Sequence, residues 1–330
     1  PPSCLPPLLK IIGEKMTKFE LKDFYGVIPA SITQFDINEN LDLDATKEFT
    51  EFLLGHDIHG LYLTGSTGEG FLMKSEERMQ VVDTVMEVAG GKVPVVVHVG
   101  NIGTKRTIDL AKHAKKAGAT AISSVPPFYW QFDSKQIFNY YKDIAEAVDI
   151  PMIIYNVPLA GMMPVSLIKE LGQIENIKGV KYTNTDIYQI PMIKDELGED
   201  FMIYGGADEL ASSNILVGVD GIVGSFYNLF PGLFVKIFEC IKNDQVKEAY
   251  KLQEQAVRLI NYVVSTNNMV AGIKAILREA DINAGYARKP FLNFYDEDQR
   301  ELARGLVELA DKYDIKDVTV IDKLREKYQG

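Results

Sequence analysis

Between Gly26 and Val223, short β-rich apolar runs alternate with stretches of helical spacing. This alternation constrains the fold more than any other feature of the chain. The strand candidates are residues 26–32, 60–64, 93–99, 121–125, 151–155, 179–181, 201–205 and 221–223. Amphipathic segments such as those at 75–89, 104–117, 134–148 and 165–173 lie between them. Ser75 followed by Glu76 and Glu77 reads as a helix start, and Gly118 reads as a C-cap. Alternating β and α at roughly 25–35 residues per unit implies a parallel sheet with helical crossovers. Eight units predict a closed (β/α)8 TIM barrel. The competing architecture is a doubly wound open sheet. No GxGxxG follows the first strand, which weakens a dinucleotide-binding site.

From residue 244 the pattern changes. Residues 246–261, 269–280 and 296–312 read as helices with no strand between them. The expected organisation is a barrel catalytic domain at 17–243 and a helical C-terminal domain at 244–330. Residues 1–16 form an N-terminal extension outside the fold, with Met16 as the natural start. The apolar patch at 5–12 is set among prolines and lacks a small-residue cleavage site, so it does not read as a signal peptide.

The net charge is −11, and no Lys/Arg cluster stands out, so nucleic acid and anionic membrane surfaces are poor partners. No run approaches the ~18–20 apolar residues of a membrane helix. Two distant cysteines, Cys4 and Cys240, suit a reducing cytoplasm better than a disulfide framework. The four histidines form no metal-ligating pair, so no metal is expected, and His98 reads as a hydrogen-bonded core residue. No GxSxG supports a serine hydrolase.

Active sites of such barrels form where strands end and βα loops begin. Four clusters sit there. Gly65-Ser66-Thr67-Gly68-Glu69 offers amide N–H groups and two hydroxyls, suited to a carboxylate or phosphate. It reads equally well as a plain turn, with Glu69 supporting the next helix. Tyr155, in Tyr155-Asn156-Val157-Pro158, can carry a proton or simply pack. Lys181 ends the sixth strand candidate. Desolvation there would favour a neutral amine able to attack a carbonyl, although a lone lysine is more often a solvated loop residue. After the seventh and eighth strands come Gly206-Ala207-Asp208-Glu209 and Gly224-Ser225. The two acids suit either a polyol or a helix N-terminus.

Together, at these strand ends and in this order, the clusters resemble the dihydrodipicolinate synthase/N-acetylneuraminate lyase superfamily of class I aldolases. The likeness runs from about Tyr25 to Lys312. Within it, Lys181-Tyr182-Thr183, Gly206-Ala207-Asp208-Glu209 and Gly224-Ser225-Phe226-Tyr227-Asn228 are similar to the lyase branch. The synthases carry an arginine soon after the YNVP proline, whereas Leu159, Ala160 and Gly161 follow Pro158 here. Two departures from the lyase pattern are a shortened 158–161 stretch and Ala207 where some lyases have an aromatic residue.

The resemblance implies reversible cleavage of N-acetylneuraminate to N-acetylmannosamine and pyruvate. Lys181 would form an imine with the 2-keto group, so no cofactor is implied. Tyr155 would carry the proton, and Ser66 and Thr67 would hold the carboxylate. Thr183, Gly206, Asp208, Glu209 and Ser225 would bind the hydroxyl tail. Tyr129 resembles a residue that enters a neighbouring subunit's site and relays with Ser66 and Tyr155, which implies a homotetramer. The alternatives are a sibling aldolase for a 2-keto-3-deoxy sugar acid, a dihydrodipicolinate synthase, and a non-catalytic sensor or binding protein. A sensor would lose Lys181 or Tyr155, and a binding protein would require a signal sequence.

Overall fold

The computed structural model describes residues 19–329. The N-terminal extension expected at 1–16 lies outside these residues. Among them, eight strands form one parallel sheet. They are β1 (Gly26–Pro29), β2 (Leu61–Leu63), β3 (Val95–His98), β4 (Ala121–Ser124), β5 (Met152–Asn156), β6 (Ile177–Tyr182), β7 (Met202–Gly205) and β8 (Gly221–Gly224). The order β1-β8-β7-β6-β5-β4-β3-β2 brings the two ends of the sheet together. Ala30 then bridges to Tyr62, and the Ser31 N–H donates to the Tyr62 carbonyl at 2.9 Å, closing the barrel. The expected TIM barrel is the fold.

Eight helices follow the strands among the described residues. They are α1 (Leu43–Leu54), α2 (Ser75–Ala89), α3 (Thr104–Ala117), α4 (Ser134–Ala147), α5 (Val165–Leu171), α6 (Gln189–Leu197), α7 (Ala211–Leu216) and α8 (Pro231–Lys242). Local chemistry sets their ends. The Asp42 carboxylate accepts from the Ala45 N–H at the start of α1. Gly118 closes α3 in the left-handed region at φ 92°. The short α7 sequence, Ala211-Ser212-Ser213-Asn214-Ile215-Leu216, carries too few apolar residues to show helical spacing.

Strand parity divides the apolar residues into two layers. Ile28, Tyr62, Val96, Ile153, Tyr155 and Tyr204 fill the barrel interior. Their neighbours Val27, Leu63, Val97, Ile154, Val180 and Ile203 pack outward under the helices. This is the period-two alternation of strands buried on both faces. Four further helices complete the described chain: α9 (Val246–Val264), α10 (Met269–Glu279), α11 (Asp296–Lys312) and α12 (Thr319–Gln329). Their apolar faces join the outer layer in one continuous cluster. Among the described residues no helix is long and apolar enough to cross a membrane.

Candidate active site

Lys181 and Tyr155 are register partners on β6 and β5, so both project from adjacent strands into the barrel near its C-terminal mouth. Lys181 is 4% exposed and Tyr155 5%. The Lys181 Nζ lies 4.0 Å from the centre of the Tyr155 ring and 4.7 Å from that of Tyr62. The amine therefore faces aromatic surfaces, not a salt-bridged carboxylate. Sequence reasoning did not single out Tyr62. Its inward parity on β2, two residues before Thr64, was the available signal. Its phenol donates to Ser123 Oγ at 3.0 Å, and burial pushes its pKa well above the ordinary value, so it stays protonated.

The carboxylate-type loop follows β2. Thr64 and Glu69 hold φ values of 54° and 55°, in the left-handed region, so the loop is bracketed by two sharp turns. The Gly70 N–H donates to the Gly65 carbonyl at 3.0 Å. A Cβ on Gly70 would collide with the Thr64 carbonyl, so a side chain there would break the turn. Ser66 is partly exposed and Thr67 buried. The Thr67 and Ser225 hydroxyl oxygens lie 2.6 Å apart, so the β2 and β8 loops meet across the mouth. Ser66 also lines a cavity of about 310 Å³ with Phe71, Phe128, Val157, Ala160 and Phe291.

Glu69 does not support the next helix, as the plain-turn reading had it. It precedes a short 3-10 turn, Gly70–Leu72, without a side-chain capping bond. Its carboxylate points inward to Lys274.

His98 is the hydrogen-bonded core residue expected. The Val125 N–H donates to its Nε2 at 3.3 Å, which leaves the proton on Nδ1 to face the Thr64 carbonyl at 3.2 Å. Burial, reinforced by the Arg78 charge, holds its pKa well below the usual histidine range.

The proposed tail-binding residues gather after β6, β7 and β8. The Thr183 Oγ1 is buried and has no hydrogen-bond partner among the described residues. A Cβ on Gly206 would overlap that oxygen, so glycine at 206 leaves the hydroxyl its place. Asp208 is buried and accepts from the Phe226 N–H at 2.8 Å. Burial pushes its pKa up to about 7, against the lowering effect of that bond. Glu209 is exposed beside it. Both acids sit in a 3-10 turn, Asp208–Leu210, that leads into α7. The structure thus gathers Thr67, Thr183, Gly206, Asp208 and Ser225 around the mouth.

Tyr129 is 83% exposed on the β4–α4 loop, and its ring contacts Trp130. Within the described chain no hydrogen bond joins it to Ser66 or Tyr155. Among the described residues no group of His, Cys, Asp and Glu side chains could hold a metal ion.

A closed barrel with a buried amine at its mouth and a glycine-bracketed hydroxyl loop opposite has a match. Residues 23–309 fit the Dihydrodipicolinate synthetase family, and the chain belongs to that family. Within it, the chain is 36% identical over 273 residues to N-acetylneuraminate lyase 2 of Escherichia coli O6:H1, covering 82% of this chain and 89% of that one. A sialic acid aldolase of Ruminococcus gnavus superposes with a TM-score of 0.83 at 32% identity, covering 88% of this chain and 99% of the other. A dihydrodipicolinate synthase of Bacillus anthracis superposes at 0.81 with 27% identity, covering 86% and 97%.

Proposed function

We propose that this chain is a class I aldolase, a carbon–carbon lyase that cleaves N-acetylneuraminate reversibly to N-acetylmannosamine and pyruvate. The observation that carries the reading is the Lys181 amine, buried at the barrel mouth between the Tyr155 and Tyr62 rings. The lyase relatives support the choice of substrate. Leu159, Ala160 and Gly161 after Pro158 offer no cation for the second carboxylate that a synthase must bind.

In this reading the open-chain sugar presents its carboxylate to Ser66, Thr67 and the loop amides. The Lys181 Nζ adds to C2, and water leaves to give a protonated imine. The C4 hydroxyl gives its proton to Tyr155, which passes its own phenol proton to the substrate carboxylate, as the C3–C4 bond breaks, and the bonding electrons pass into the imine. N-acetylmannosamine departs as the aldehyde, leaving an enamine on Lys181. Protonation at C3 and hydrolysis release pyruvate and the free amine. The imine is the electron sink, so the chemistry requires neither metal nor organic cofactor.

Thr183, Gly206, Asp208, Glu209 and Ser225 hold the hydroxyl tail. Tyr129, exposed within one chain, reaches the site of a second copy in a homotetramer and relays protons with Ser66 and Tyr155. A cytoplasmic enzyme is part of the reading, because two distant cysteines suit a reducing compartment.

The test is reduction with borohydride in the presence of pyruvate, followed by intact mass and peptide mapping. The expected result is one reduced pyruvyl adduct, on Lys181. An adduct elsewhere, or none, defeats the mechanism. Parallel assays with N-acetylneuraminate and 2-keto-3-deoxygluconate decide the substrate: turnover of only the second selects the sibling aldolase.

A further inference from the structure

Lys274 stands in the buried middle of helix α10, between Ile273 and Ala275. Its side chain and that of Glu69 are both fully buried. Its Nζ donates to Glu69 Oε1 at 2.5 Å, to the Thr33 carbonyl at 2.6 Å and to the Tyr286 carbonyl at 2.8 Å. An ammonium has three protons, so every donor is used. The second Glu69 oxygen accepts from the Arg288 N–H at 2.7 Å. Thr33 in turn donates its hydroxyl to the Gly68 carbonyl at 2.7 Å. The segment after β1, the 65–69 loop, helix α10 and residues 286–288 are thereby tied into one closed network.

A buried ion pair is a weak source of stability, because desolvating two charges offsets much of their attraction. An apolar pair of equal volume would pack as well. It would not aim three bonds at three different chain segments. The loop needs such a hold, because its exit residue Glu69 carries a side chain in the left-handed region, which L-residues disfavour. Its entry is tied separately, by the Thr64 hydroxyl to the His98 carbonyl at 2.8 Å. Burial lowers the Lys274 pKa to about 8, with Glu69 opposing the fall, so the ammonium predominates at neutral pH.

We infer that Glu69 and Lys274 are positioning residues for the substrate carboxylate. Through them helix α10 fixes the 65–69 loop, so that its amides and the Ser66 and Thr67 hydroxyls converge on one anion. The inference rests on the proposed use of this loop in the lyase reaction, and it adds that the C-terminal helices set the loop's anion affinity.

The test compares the wild-type enzyme with Lys274→Met, Glu69→Gln and the double variant Glu69→Gln/Lys274→Met. The double variant leaves no unpaired buried charge, so it carries the test if a single variant fails to fold. Thermal unfolding confirms that each variant is folded. Imine trapping by borohydride is then titrated with pyruvate and with acetone, which has the same carbonyl but no carboxylate. The expected result is a tenfold or greater rise in the half-saturating pyruvate concentration, with acetone trapping unchanged. KM for the sugar acid should rise likewise, with kcat within about threefold of wild type. Folded variants with unchanged pyruvate titrations overturn the inference, as does an equal loss for pyruvate and acetone. A wild-type enzyme that traps no pyruvate defeats the lyase reading itself, and this inference falls with it.

Discussion

Lys181 and Tyr155 face each other across adjacent parallel strands, with the amine 4.0 Å from the centre of the phenol ring. Parallel register makes this pairing rigid, since neither side chain depends on a loop for its position. In the proposed mechanism these two groups are the nucleophile and the proton carrier. Imine formation needs the amine, whereas bond cleavage needs the phenol as well.

Tyr155→Phe should therefore separate the two steps. The ring keeps its packing against Lys181, so pyruvate trapping on Lys181 should persist. Cleavage of N-acetylneuraminate should fall by about 10²–10⁴-fold, the usual range for a lost general acid–base group. Steady-state kcat measured beside adduct mass checks this. Equal loss of trapping and cleavage would remove Tyr155 from the proton-transfer role.

Gly206→Ala should weaken binding of the sugar tail and leave the pyruvyl end intact. The added methyl overlaps the Thr183 hydroxyl and must displace it. KM for N-acetylneuraminate should rise about tenfold, the cost of a lost hydrogen bond or two. The pyruvate titration of imine trapping should not move.

Asp208 makes the stability depend on pH in a defined direction. Its folded pKa, pushed up to about 7 chiefly by burial, lies above the unfolded value near 4. Between those values the folded chain binds the extra proton. The stabilisation is fully present below about pH 4 and is lost as pH rises through 7, with a slope of at most about 1.4 kcal/mol per pH unit for one proton. Asp208→Asn should abolish that component. Unfolding midpoints of wild type and variant, compared at pH 5 and pH 8, should converge or cross in favour of the variant at the higher pH. A constant gap between them would refute the assignment.

Tyr129 tests the assembly. Sedimentation velocity should give a tetramer for the wild-type chain and for Tyr129→Phe. The variant should lose about 10–100-fold in kcat, in keeping with one hydroxyl of a proton relay. A monomeric wild-type enzyme with full activity would exclude a contribution from a second copy.

Much of this was legible before folding. The eight strand runs announce themselves as short, mainly apolar stretches, because a strand buried on both faces is apolar through most of its length. Gly118 ends α3 and Ser75 begins α2 by rules that act within four residues. The strand-end positions of Ser66, Tyr155, Lys181 and Asp208 followed from the same local pattern. Helices α1, α6, α8 and α12 were not singled out, and α7 offered no signal, because six residues rich in serine and asparagine have no periodicity to read.

The amino-acid sequence alone thus determined which elements form and which reactive groups stand at their ends. Those outcomes depend on neighbours a few residues apart. Only the tertiary structure decided what each group faces. Lys274 meets Glu69 across a separation of 205 residues, and Thr67 meets Ser225 across 158. Periodicity marks a face as buried without naming its partner. Closure of the barrel and docking of α10 chose those partners, and with them the function of Glu69.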